Sequence, residues 1–433
     1  MNEDETAKSP FASPWIQLIV GVICMAAVAN LQYGWNLFVN PIDAKYHWGR
    51  AAIQVSFSLF LLLETWLMPV EGYMVDRFGP RWVVLVGGIL VAGAWVMNSM
   101  ASSLPALYFG AALGGIGAGC VYGTCVGNAL KWFPARRGLA AGITASGFGA
   151  GAAITVGPIK TMIESSGYEH AFLTFGLIQG GIVFVMSWML LMPPAKLVAT
   201  TVKPSQTAHG YTPLDVLRSP VFYIMYFMFV LIAMGGLTMV ASMSAISGDL
   251  KIAKIPVDLF GMVLPALGFT LLLNRISDGI GRPFFGWISD RIGREYTMAL
   301  AFTFGAVALL SLSQSGRNPV VFVLVTAVYF ALYGEIYSLF PATQGDTFGA
   351  KFAAANNGLL YTAKGAAALL VPFSALIARA YGWGPVFSIF VTFNIIAALM
   401  ALFVLKPMRA AHFAKSRAAF PSSTASGAAI RVT

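Results

Sequence analysis

The sequence predicts an all-α polytopic membrane protein with twelve transmembrane helices in two six-helix bundles. Three observations predict this. Of 433 residues, 58% are hydrophobic and only 10% charged, whereas soluble domains run at roughly 45–50% apolar and about 25% charged. Uncharged runs such as Trp15 to Phe38, Trp82 to Met100 and Phe387 to Leu405 each hold the roughly 20 residues that cross about 30 Å of hydrocarbon. A repeat also divides the chain: Gly72-Tyr-Met-Val-Asp76-Arg77-Phe-Gly79 and Gly286-Trp-Ile-Ser-Asp290-Arg291-Ile-Gly293 share G-x-x-x-D-R-x-G. Each copy follows the second apolar span of its half, the mark of a duplicated bundle.

Residues 1–14 carry Glu3, Asp4 and Glu5 and are read as a cytoplasmic segment. With no basic stretch before the first apolar run and no small-residue cleavage site after it, that run is read as a retained helix. The spans expected are 15–38, 52–75, 82–101, 104–131, 138–162 and 171–193, forming the first bundle, and 219–246, 257–288, 296–314, 318–343, 354–380 and 384–405, forming the second. Between them, residues 194–218 are a polar connector broken by Pro194, Pro204 and Pro213. The second bundle runs to residue 406, and 407–433 is read as a disordered cytoplasmic tail. In the repeat, Gly lets helix ends approach, Asp is expected near the N-terminus of the following helix, and Arg stays in the headgroups.

The net charge of +10 invites a nucleic-acid reading, but its distribution argues against one. With both termini cytoplasmic, about 17 Lys/Arg fall in cytoplasmic segments and about 7 outside, as the positive-inside rule requires. The partner implied is a lipid bilayer, and the tail's basic residues suit anionic headgroups. Cys24, Cys120 and Cys125 lie inside apolar spans, while His47, His170, His209 and His412 fall in loops or the tail. Neither a metal centre nor a cofactor is expected. Gly115-Ile-Gly117-Ala-Gly119 lacks the preceding strand of a dinucleotide loop. Gly115, Gly119, Gly123 and Gly127 instead recur every fourth residue, a flat ridge for close helix packing. An enzyme would need a nucleophile, metal or cofactor cradle that the spans do not offer, so no catalytic residues are expected.

Charge within the spans points to the site. A Lys or Arg at a helix centre costs roughly 2.5–3.5 kcal/mol on the insertion scale and marks function. Three qualify: Arg275, Arg282 and Lys364. Arg282 lies eight residues inward from Asp290, about 12 Å at about 1.5 Å per residue, and Lys364 is placed at a similar depth. Asp278 shares a helix face with both arginines and can neutralise one. Glu64 can reach one cation across the cavity, while Glu71 is read as snorkelling or capping. Tyr361 stands one turn before Lys364, and Tyr333 and Tyr337 are four apart, so phenols flank the cations. Tyr33, Trp35 and Tyr122 are candidates from the other half. Glu335, turned away from the tyrosine face, is read as an interhelical partner.

The repeated G-x-x-x-D-R-x-G resembles the loop signature of the major facilitator superfamily over residues 15–406. That resemblance implies two six-helix domains, a site between them near the midplane, and alternating access by rocking. Asp278-Gly-Ile-Gly-Arg282-Pro-Phe-Phe-Gly286-Trp, Tyr337-Ser-Leu-Phe-Pro341, Tyr361-Thr-Ala-Lys364, Gln32-Tyr33-Gly-Trp35 and Trp132-Phe-Pro-Ala-Arg-Arg137-Gly138 are similar to the oxalate–formate antiporter family. By that resemblance Arg282 and Lys364 would bind the two carboxylates of oxalate, with Tyr33, Tyr122, Tyr333, Tyr337 and Tyr361 on the aromatic positions around them; Gln32 and Trp35 are further substrate-binding candidates on the first span. Asp278, Arg275, Glu64, Asp76, Arg77, Asp290 and Arg291 would gate or balance charge.

The expected function is exchange of small carboxylate anions, foremost oxalate for formate, by a protein acting as a monomer. A bacterial inner membrane suits the short loops. Closing the bundle around two unpaired cations is costly, so occlusion is expected only with an anion bound. The alternative is transport of a monocarboxylate or another dicarboxylate coupled to a proton carried by Asp278 or Glu64.

Overall fold

The computed structural model describes residues 9–194, 206–207, 209–259, 261–315 and 317–419. The first span is broken into α1 (Pro14–Val28), α2 (Asn30–Tyr33) and α3 (Asn36–Tyr46). The second pairs α4 (Arg50–Trp66) with α5 (Met68–Phe78) across a 43° bend at Leu67, just before Pro69. Then come α6 (Pro80–Met100), α7 (Leu104–Trp132), α8 (Arg137–Ser166) and α9 (Tyr168–Ser187). In the connector, α10 (Pro213–Leu217) opens with a capping box in which Thr212 and Asp215 satisfy each other's backbone amides. The Thr212 hydroxyl and amide hold the Asp215 carboxyl below its usual range.

The second half begins with α11 (Pro220–Asp249). It continues through α12 (Ala266–Ile292), α13 (Arg294–Ser315), α14 (Pro319–Tyr333) and α15 (Ile336–Phe348). It closes with α16 (Ala353–Tyr381), α17 (Trp383–Met400), a π-turn at Ala401–Leu405, and α18 (Lys406–Ala419). Proline in the first turn of α1, α6, α7, α11 and α14 costs no hydrogen bond and presets φ.

By length and composition, 10 of the described helices can cross a membrane, 11 with the bent α4–α5 pair. α12, 27 residues long, falls outside that count because Arg275, Asp278, Arg282, Asp290 and Arg291 depress its hydropathy without shortening the helix.

Three expectations are corrected. Residues 256–265 are not helical. β1 (Pro256–Leu259) and β2 (Met262–Pro265) form an antiparallel hairpin that pairs Pro256 with Pro265, and α12 starts only after that proline. The start of the presumed tail is ordered. In α18, Arg409 Nε donates to Thr347 Oγ1 at 2.8 Å and its Nη1 pairs with Glu295, while the Ser416 and Thr207 hydroxyls meet at 3.0 Å. A basic helix can dock because polar partners wait at the ends of α13 and α15. Glu71 does not snorkel: it is 5% exposed, with its carboxylate against the α7 glycine ridge at Gly119. Residues 1–8 and 420–433 of the terminal segments, and residues 195–205 of the connector, lie outside the described residues.

The glycine ridge of α7 packs as its spacing indicates. A Cβ on Gly115 would strike the Phe60 carbonyl, one on Gly119 would lie 2.9 Å from the Glu64 carbonyl, and one on Gly127 would come within 2.7 Å of Ala354. Backbone rather than flexible side chain stands in the way at Gly115. Gly115→Val is therefore expected to drive α4 off α7 and lower the detergent melting temperature by several degrees, consistent with an overpacking cost of roughly 1–3 kcal/mol. Unchanged melting would mean that α4 moves aside freely.

The halves meet where α8 packs on α12 and α15, and where α4, α5 and α7 pack on α16. The buried charges lie along those two seams.

Candidate functional site

Arg282 is 1% exposed on the face of α12 that meets α8. Its Nη2 donates to Asp278 Oδ2 at 2.6 Å and its Nε to Oδ1 at 3.3 Å, so one fork of the guanidinium already holds a carboxylate. Its Nη1 donates to the Ala145 carbonyl of the other half at 2.7 Å. Gly142 of α8 permits this approach: a Cβ there would overlap the Arg282 backbone. The guanidinium also lies 4.5 Å from the centre of the Tyr337 ring.

Lys364 of α16 is 2% exposed, and its partners come from both halves. Its ammonium donates to Glu64 Oε2 at 3.2 Å, to Gln32 Oε1 at 3.2 Å and to Tyr361 Oη at 3.4 Å. Gln32 can reach it because the first span is interrupted at α2. Glu64 descends from α4, brought close by the contact of Gly365 with Thr65 and Trp66.

Aromatic rings connect the two cations. Tyr337 lies 6.2 Å from Tyr361, Tyr361 lies 4.7 Å from Tyr122, and Tyr122 and Tyr33 meet Phe148 edge-on at 5.3 and 5.4 Å. Tyr333 shares a 2.8 Å hydroxyl contact with Tyr337. Arg275 rests 4.2 Å over the Tyr33 ring. Phe148 and the Ala145 carbonyl were missed because an unremarkable Phe and a backbone oxygen carry no sequence signal.

Chemically, this is a buried site with two cations, two acids and a ring of phenols, able to take a planar anion wherever an internal carboxylate yields its place. The expectation of two unpaired cations is corrected. Asp278 pairs with Arg282 at 2.6 Å and Glu64 with Lys364 at 3.2 Å. Trp35 is also corrected: it turns into the first bundle toward Phe172, 6.5 Å away, and not toward the cations. Glu335, at the break between α14 and α15, is fully buried, and among the described residues neither of its carboxylate oxygens has a hydrogen-bond partner, so the interhelical pairing expected of it is not seen there.

At one end of the molecule the repeat forms a lock. Asp76 accepts from Lys131 Nζ at 2.5 Å and from the Ala355 amide at 2.9 Å, capping α16. Asp290 accepts from the Gly138 and Leu139 amides at 3.1 and 2.9 Å, capping α8. Each aspartate thus caps a helix of the opposite half, and not the following helix as the sequence led us to expect, placing negative charge at the positive end of the dipole. The first Gly of each motif permits the approach, Gly72 onto Ala354–Ala355 and Gly286 onto Gly138. The last, Gly79 and Gly293, takes φ of +88° and +102° and turns the chain into the next helix.

Between these caps, Asp346 binds Arg137 Nη1 at 3.0 Å, Arg294 Nε at 2.9 Å and Gln206 Nε2 at 2.7 Å. Arg294 reaches Asp290 as well, at 2.7 Å. Sequence reading named Asp76 and Asp290 but not Asp346, which sits in no repeat. Arg77 and Arg291 stay outside the lock, exposed beside Phe78 and Trp287 at 5.4 and 3.7 Å.

The sequence profile of the Major Facilitator Superfamily matches residues 18–372. The chain is 32% identical over 416 residues to the oxalate:formate antiporter of Oxalobacter formigenes, covering 94% of this chain and 96% of that one. It is 31% identical over 157 residues to human monocarboxylate transporter 11, covering 35% of this chain and 33% of that one. Among solved structures, the proton:xylose symporter XylE bound to a bromodeoxyglucose superposes with a TM-score of 0.70 at 12% identity, over 90% of this chain and 96% of that one, a likeness of fold.

Proposed function

Because the chain belongs to the Major Facilitator Superfamily and is a secondary transporter rather than an enzyme, we propose that it exchanges small carboxylate anions across the membrane, foremost oxalate for formate. One observation carries the proposal: Arg282 and Lys364, buried on the second half, face partners on the first, and each already holds a carboxylate in a place a substrate can take. The relative named oxalate:formate antiporter supports the same chemistry.

The proposed cycle follows from charge. In the unloaded site the two cations are held by two internal acids, Arg282 by Asp278 and Lys364 by Glu64. An entering dicarboxylate competes with Asp278 for the Arg282 fork and with Glu64 for the Lys364 ammonium, while the phenols of Tyr33, Tyr122, Tyr337 and Tyr361 offer donors to its remaining lone pairs. Gln32 follows the Lys364 head and Tyr333 braces Tyr337. Arg275, over Tyr33, balances charge at the rim. Rocking of the halves about the bound anion exposes it to the other side, with Asp76 and Asp290 releasing their helix caps as the locked end opens. That end is assigned to the cytoplasm with both termini, in a bacterial inner membrane, because its loops carry the excess of Lys and Arg. A monomer suffices, since both halves of the site lie in one chain.

The test is uptake of labelled oxalate into proteoliposomes loaded with formate, oxalate or buffer. Exchange predicts uptake only into loaded vesicles, falling at least about 30-fold with Lys364→Gln, the loss of one charge-assisted contact of roughly 2–3 kcal/mol. A second reading is favoured by the two internal ion pairs, since acids that neutralise the empty site permit return without a counter-anion. In it Glu64 or Asp278 carries a proton with a monocarboxylate. Uptake into empty vesicles that rises as external pH falls, and is lost with Glu64→Gln, would replace exchange by this reading.

A further inference from the structure

A third cation stands within the spans, apart from the paired two. Arg275 of α12 lies seven residues before Arg282, about 10.5 Å farther from the locked end at about 1.5 Å per residue and about 20° away around the helix at about 100° per residue. The two arginines therefore share the face of α12 that meets the first half. Asp278, between them, is taken by Arg282 at 2.6 Å, and Glu64 is taken by Lys364 at 3.2 Å. Among the described residues Arg275 has no ion-pair partner, and its guanidinium rests 4.2 Å over the ring of Tyr33 across the seam. A cation inside a span is costly to keep without an acid and marks a functional position.

The seam widens toward Arg275. At the locked end α8 and α12 touch backbone to backbone: a Cβ on Gly138 would lie 2.4 Å from the Gly286 carbonyl, and one on Gly142 would lie 2.4 Å from the Arg282 carbonyl. At Gly149, farther along α8, the nearest atom of α12 is 3.7 Å from such a Cβ. Arg275 and Tyr33 are half-buried, whereas Asn36 and Asn40, which continue the Tyr33 face of the first span at spacings of three and four, are exposed. Asn36 accepts from Gln54 Nε2 of α4 at 3.2 Å. Exposed amides on this face suit water and not hydrocarbon.

We propose that Arg275 is an anion-binding subsite in front of the paired cations, where a carboxylate entering from the end opposite the lock is held before it reaches Arg282. An aromatic ring holds a guanidinium less firmly than a carboxylate does, so the anion takes the place of Tyr33 over Arg275. Tyr33 lies within the field of both arginines and so marks the passage from one to the other. That the anion is a transported carboxylate rests on the exchange reading above; the subsite itself rests on Arg275 standing unpaired at the seam.

Charge-selective labelling tests the subsite. Asn36→Cys, three residues from Tyr33, is combined with Arg275, Arg275→Gln or Arg275→Lys. Each protein is checked for monodispersity in detergent and treated with anionic sulfonatoethyl or cationic trimethylammonioethyl methanethiosulfonate, the buried native cysteines giving the background. The anionic-to-cationic rate ratio is expected to fall at least about fivefold with Arg275→Gln, since removing one positive charge slows one reagent and speeds the other, and to be kept with Arg275→Lys. In proteoliposomes with native Asn36, Arg275→Gln should lower oxalate exchange at least about fivefold at limiting oxalate and less than about twofold at saturation, because capture suffers and the later steps do not. A reagent ratio that ignores Arg275→Gln, or exchange lost equally at limiting and saturating oxalate, would overturn the proposal. A parent protein that exchanges no oxalate removes the exchange reading instead, and the labelling ratio then decides on the subsite alone.

Discussion

Arg282→Gln is expected to reduce oxalate exchange by at least about 100-fold while leaving little stable protein, because it breaks a buried ion pair and leaves Asp278 without its cation, a loss of roughly 3–5 kcal/mol. Stability and transport have to be separated. Arg282→Gln combined with Asp278→Asn removes both charges and should recover folding, measured by detergent melting, without recovering exchange. Arg282→Lys keeps the charge but cannot reproduce the fork that spans Asp278 and the Ala145 carbonyl. It should retain a few per cent of the rate and lose preference for dicarboxylates over monocarboxylates. If the double variant exchanges oxalate as well as the parent, Arg282 serves only as the counter-charge of Asp278 and takes no part in binding the substrate.

The second large effect is expected at Asp346. Removing its charge with Asp346→Asn leaves Arg137 and Arg294, 3% and 6% exposed, facing one another across the seam without the anion between them. An uncompensated buried charge of this kind costs roughly 3–5 kcal/mol, and the protein can relieve it by parting the halves at the locked end. The population open at that end should rise at least about 100-fold. The readout is alkylation of a thiol placed by Asn357→Cys, a position 1% exposed in α16, in right-side-out and inside-out vesicles. Labelling should become fast from the locked side only, and Asp346→Glu should restore protection. Unchanged labelling would show that the helix caps of Asp76 and Asp290 close the end without help from Asp346.

Much of this was legible in the chain because a bilayer imposes a simple rule: every span must be long and apolar, so the charges left inside one stand out. Arg282, Lys364, Asp278 and Glu64 were visible on that ground, and the structure brings all four together in two pairs. The i, i+4 spacing of Asp278 and Arg282 was enough to anticipate their bond. The same rule misjudged residues 256–265, since an apolar run bounded by prolines reads alike as helix or hairpin until the packing around it is known. Trp35 shows the limit for aromatics. One residue of the interrupted segment after α1 faces Lys364 and a near neighbour faces the interior of its own bundle, and only the breaks at Ala29 and Gly34 set which does which.

By itself, then, the sequence determined the membrane class, the repeated motif and the charged residues that a hydrocarbon interior makes conspicuous, because these depend on composition and local periodicity. Only the tertiary structure decided that Glu64 pairs with Lys364, that the motif aspartates cap helices of the opposite half, and that Asp346 joins two arginines. Those are contacts between residues as much as 332 positions apart, as with Gln32 and Lys364. Neither local propensity nor hydropathy encodes such a contact, which exists only once the two bundles have packed.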